Sequence, residues 1–213
     1  MQILVSIVLT LLITTPTWAA DDAGRVKEDK TQVREWNTFA NDLLKLHKQL
    51  ISRDGLVKTE KKGGYRGRND FYNEITYRDA KTKKVVSRVQ WELENPGNVH
   101  VIELFLYDDK GRLSHDYTAA FLENYRNAPN QTLVAAHSYN DGLHAFRTFD
   151  ASGEAVNEIC EGTYKGKSID ISLEDYEVED MRRGITGGPD KANYKACFGK
   201  LGLTASAYLP PRK

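Results

Sequence analysis

From Val33 onward, apolar residues recur first at helical spacing and then at strand spacing. Val33, Trp36, Phe39, Ala40, Leu43, Leu46, His47, Leu50 and Ile51 fall on one side of a helix of about 3.6 residues per turn. Asp29, with Gln32 three residues on, makes a capping-box start, and Gly55 supplies a stop, so the pattern predicts a helix over 29–54. His47 within this stripe reads as a packed histidine rather than a ligand. The segment Lys58 to Asp70, KTEKKGGYRGRND, is basic and glycine-rich. No strand-loop-helix context follows it, so it is no nucleotide loop. It could clasp an anionic polymer, but a solvated connector fits it better.

From Asp70 the period changes to two. Val85, Ser87, Val89, Trp91 and Leu93 point one way, while Val86, Arg88, Gln90 and Glu92 point the other. Similar β-branched and aromatic runs, punctuated by turn residues, continue to Leu173. Short strands joined by tight turns imply an antiparallel meander, placed at 70–171. YDDKGRL (Tyr107–Leu113) and FDASGEAV (Phe149–Val156) set Asp before Gly between such runs, and Tyr77–Val86 is a longer version. They lack the oxygen ligands of a calcium loop and read as hairpin turns. The Tyr-x-x-x-Gly-x-Leu hairpin resembles those of YD-type extracellular β-meander repeats over a small part of the chain. That resemblance implies a turn geometry and carries no function. Ser172 to Gly184 reads as a short helix, acidic first and basic last, and the Gly- and Pro-containing remainder to 213 as an irregular tail.

These elements predict an α+β domain over 29–213, with the N-terminal amphipathic helix packed on a curved antiparallel β-meander sheet. A closed eight-stranded β-barrel is the structural alternative.

The ends and the charge narrow the setting. Residues 1–19 carry no charged side chain and end in small residues, with Thr17 and Ala19 placed for cleavage, so they read as a secretory signal peptide. Residues 20–28 form a charged lead-in. The expected location is the periplasm or the extracellular space, with no membrane insertion after cleavage. Lys and Arg total 30 and Asp and Glu total 30, a balance that argues against a nucleic-acid partner. In an exported chain, the two cysteines, Cys160 and Cys197, most simply form one disulfide.

Candidate chemistry is sparse. HSYNDGLHAF holds the close pair His137 and His144 around a turn. A two-residue Asp141-Gly142 loop would place both on one face, within reach of one metal ion; a three-residue Asn140-Asp141-Gly142 loop would set them on opposite faces. His100 or His115 could supply a third ligand. There is no G-x-S-x-G elbow, H-E-x-x-H pair or phosphate loop, and the residues name no cofactor. The leading expectation is an exported non-catalytic binding or accessory protein, acting through an exposed sheet face or edge on another exported protein. The alternatives are a small-ligand carrier with an enclosed cavity for a lipid or cofactor, and a metal-handling protein or metalloenzyme using the strand histidines.

Overall fold

In the computed structural model, which describes residues 30–124, 129–183 and 189–209, helix α1 (Lys30–Ile51) leads into nine strands. These are β1 (Leu56–Tyr65), β2 (Arg68–Asp79), β3 (Val85–Glu92), β4 (Val99–Tyr107) and β5 (Leu113–Ala120). There follow β6 (Gln131–Asn140), β7 (Leu143–Phe149), β8 (Ala155–Tyr164) and β9 (Lys167–Glu174). Helices α2 (Asp175–Arg183) and α3 (Lys191–Phe198) and a short 3-10 turn at Ala205–Ala207 are the remaining elements among the described residues. The expected signal peptide at 1–19, the lead-in at 20–28 and the capping residue Asp29 lie outside the described residues. Among the described residues, no helix is long and apolar enough to cross a membrane.

All nine strands join one sheet in chain order, every neighbouring pair antiparallel. The fold is therefore mostly β, and the sheet is open. β1 and β9 each have a strand on one side only, so the closed barrel is not formed. The three segments read as hairpin turns are turns whose carboxylates serve the backbone. Asp79 Oδ1 accepts from the Thr82 amide at 2.7 Å, Asp108 Oδ1 from the Arg112 amide at 2.8 Å, and Asp150 Oδ1 from the Gly153 amide at 2.9 Å.

Register decides the core. Val89 faces Ile102 and Ile102 faces Ala119 across β3 to β5, while Leu104, Tyr117, Val134 and Phe149 make a second row across β4 to β7. All are at most 4% exposed. Phe39, Ala40, Leu43 and Leu50 of α1 belong to the same buried cluster as the β3–β6 members of these rows. Each such Phe or Leu contributes roughly 1.5–3 kcal/mol on burial. A second cluster joins Leu143, Ala145, Cys160, Ile169 and Ile171 of β7–β9 to Cys197 and Phe198 of α3.

Four boundaries differ from expectation. The helix stops at Ile51 rather than residue 54. The expected connector at Lys58–Asp70 is β1 and its turn into β2, so the meander starts at Leu56 rather than Asp70. Because β1 is exposed along most of its length, its side chains never alternate between core and solvent. Ser172 to Glu174 extend β9 by pairing with Ile159 to Asn157, and the helix begins only at Asp175. The tail contains α3, started by Asp190, whose side chain accepts from the Ala192 and Asn193 amides.

Candidate functional site

Asp141 (φ 45°) and Gly142 (φ 84°) both adopt positive φ, which closes β6–β7 with a two-residue turn. Asn140 then pairs with Leu143, Tyr139 with His144, and His137 with Phe146. This is the register that sets His137 and His144 on one face as diagonal neighbours. His137 Nδ1 lies 3.0 Å from His144 Nε2, and His137 Nε2 lies 2.7 Å from Asp116 Oδ2 on β5. With the Nε2–H of His137 donated to Asp116, His137 Nδ1 accepts the Nε2–H of His144. Tyr139 stacks on His144 at 4.7 Å between centroids and 8° between planes, and the Arg112 guanidinium lies 4.5 Å over Tyr139. Asp108 Oδ2 holds Arg112 through Nε at 2.8 Å and Nη2 at 2.7 Å. Burial lowers the His144 pKa, and His137 beside it lowers it further.

The result is a line of hydrogen-bonded and stacked groups ending at an open cleft of about 820 Å³, bordered by Lys110, Arg112, His144, Glu161 and Lys200. Its chemistry is that of a proton held between imidazoles. The nitrogens that would meet a metal ion are bonded to each other. Coordination at about 2.0–2.1 Å from each would break that bond and call for further ligands. His115 pairs with Ala136, which puts it on the face opposite His137, and its ring lies against Tyr117 and Tyr208. His100 sits among Tyr65, Phe71 and Tyr72. Among the described residues, no three His, Cys, Asp or Glu side chains are grouped to hold a metal ion.

That His100 cluster forms an aromatic corner which sequence reading missed. Tyr65 at the end of β1 packs 5.6 Å from both Phe71 and His100, and its hydroxyl is hydrogen-bonded to His100 Nε2. Arg68 lies 4.8 Å over Phe71 and pairs with Glu94 at 2.6 Å and with Glu123. A pocket of about 390 Å³ opens here, lined by Tyr65, Phe71, His100, Val101, Phe121 and Leu122. Burial draws the His100 pKa below its ordinary value. The contributors come from β1, β2, β4 and the segment after β5, so no sequence spacing announces them.

Cys160 and Cys197 form the disulfide, with an S–S distance of 2.08 Å, tying α3 to β8. Beside it lies a buried ion pair, also missed: Arg147 Nε to Glu158 Oε1 at 2.5 Å, the two side chains 1% and 0% exposed. Arg147 Nη1 donates to the carbonyls of Leu201 (3.1 Å) and Gly202 (2.6 Å), and the Tyr194 hydroxyl donates to Glu158 Oε2 at 2.6 Å. Burial and the Glu158 carboxylate push the Tyr194 pKa up to about 12. The sequence signal was present: Arg147 shares strand parity with Ala145 and Phe149, and Glu158 with Cys160.

No known protein family matches the chain, and no curated protein matches it. Two solved structures are similar to part of it. A DUF3836 family protein from Bacteroides vulgatus is 12% identical with a TM-score of 0.26, over 56% of this chain and 97% of that one. A DUF3836 family protein from Parabacteroides distasonis is 11% identical with a TM-score of 0.21, over 59% of this chain and 95% of that one. Likeness at this level carries no functional argument.

Proposed function

We propose that the protein is an exported, non-catalytic binding or accessory protein that engages another exported protein through the aromatic corner of its sheet. One observation carries this reading. Tyr65 and Leu122 remain 52% and 53% exposed over a pocket whose other walls include Phe71, His100 and Phe121. Apolar rings with polar tips, flanked by a fixed Arg and carboxylates, supply both contact area and orientation to a partner. The apolar leader and the Cys160–Cys197 disulfide support an oxidising compartment. A photo-crosslinking residue placed at Leu122 tests it in the exported protein. The expected result is one discrete covalent adduct that disappears with Tyr65→Ala. No adduct, or the same adduct in the Tyr65 variant, refutes the assignment.

A further inference from the structure

Over the whole chain the charges cancel, 30 against 30, yet the two margins of the sheet differ in sign. Residues 56–67, β1 and its turn, carry Lys58, Lys61, Lys62 and Arg66 against Glu60 alone. Residues 167–183, β9 and α2, carry Asp170, Glu174, Asp175, Glu177, Glu179 and Asp180 against three cations. These basic and acidic stretches include the two strands that have a neighbour on one side only. β1 is exposed from Val57 to Lys62, and such an edge presents a row of backbone donors and acceptors to any strand that can approach it.

Charge decides which strand can. Two antiparallel β1 edges centred on Glu60 would set Lys58 against Lys62, and two β9 edges centred on Ser172 would set Asp170 against Glu174, both unfavourable for directly opposed strands. A β1 edge meeting a β9 edge opposes unlike charges instead. Of the ion pairs already present on β1, Lys58 with Glu60 leaves both side chains 48% exposed, while Lys61 stays 69% exposed beside the buried Glu74. An exposed pair such as Lys58–Glu60 contributes little.

We propose that β1 of one copy pairs with β9 of a second copy, so that the sheet continues from molecule to molecule. The contact is heterologous: each addition leaves one basic and one acidic edge free, which gives an open chain or a closed ring. It goes beyond the binding reading above, because it uses both sheet margins and requires no other protein.

Sedimentation velocity of the purified chain tests the proposal directly. At low ionic strength the sedimentation coefficient should rise with protein concentration, and salt at about 0.5 M should reverse the rise by screening the opposed charges. Two variants carry the pairing itself, Lys58→Glu with Lys62→Glu, and Asp170→Lys with Glu174→Lys. All four positions are exposed. Each variant alone has two edges of one sign and should associate at least about tenfold more weakly than the parent. An equimolar mixture of the two restores unlike edges and should associate again. A parent chain that remains monomeric at every concentration and salt overturns the proposal. So do variants that associate alone as the parent does, or a mixture that does not regain association.

Discussion

His47 Nδ1 and Ser87 Oγ lie 2.7 Å apart, joining the last turns of α1 to β3 where Ser87 is wholly buried and His47 is 7% exposed. Tyr77 closes the site from β2, its ring 5.6 Å from the imidazole. Burial, with Lys48 nearby, lowers the His47 pKa below 6.5. A depressed histidine is neutral in the folded chain and takes up its proton more readily when unfolded. The stabilisation it supports is present above the unfolded pKa and is lost as pH falls through the folded one. Burial shifts His100 and His115 in the same direction. The urea midpoint should therefore fall between about pH 7.5 and about pH 5. His47→Gln should flatten part of that slope.

The Arg147–Glu158 pair makes a sharper energetic prediction. Arg147→Met removes the cation from a carboxylate buried at 0% exposure, which the Tyr194 hydroxyl also bonds. Breaking a buried pair from one side costs about 3–5 kcal/mol, whereas replacing both partners with apolar residues is often near neutral. Chemical denaturation should show Arg147→Met far less stable than Arg147→Met with Glu158→Leu. Equal losses in the two proteins would mean that the pair is not a coupled unit.

How much of this was legible beforehand depended on whether an element's environment changes along it. The meander from β2 to β9 could be read because its strands mostly bury alternating positions, as Ser87 and Val89 sit deeper than Val86, Arg88 and Gln90 on β3, with Glu92 buried out of turn beyond the irregularity at Gln90/Trp91. β1 could not. With solvent on both faces and one edge, nothing constrains Lys58 to Lys62 to alternate, and the segment looks like a linker. α3 was hidden for another reason: eight residues are too few to form a helix on propensity alone. What holds it is long-range, the bond from Cys197 to Cys160 and the packing of Phe198. The histidine pair was readable up to its turn length, which Asp141 settled by adopting positive φ. Its partner Asp116 lies two strand pairings distant from His144 and had no local signature.

Reducing the disulfide should loosen α3 first. The bond closes a separation of 37 residues, which corresponds to about 4 kcal/mol of denatured-state entropy. It also anchors the segment whose Tyr194 and whose Leu201 and Gly202 carbonyls cover the ion pair. A dithiothreitol-treated sample should unfold at lower urea, and hydrogen exchange should rise in 190–202 before it rises in β3–β5. Uniform acceleration across the sheet would contradict the local release.

Gly142 fixes the register that brings His137 and His144 together. It has φ +84°, and a Cβ there would lie 2.8 Å from the Thr163 carbonyl oxygen on β8. Gly166 has a similar φ of +77° with nothing within 4 Å of its would-be Cβ. Ala at either position meets the left-handed backbone penalty, but only Gly142→Ala adds the collision with β8. Gly142→Ala should cost about 1–3 kcal/mol and exceed Gly166→Ala. Because relief requires the β6–β7 turn to shift, the imidazole nitrogen resonances of His137 and His144 should move in the first variant and stay fixed in the second. Matching losses of stability with unmoved resonances would show that the hairpin register does not depend on this contact.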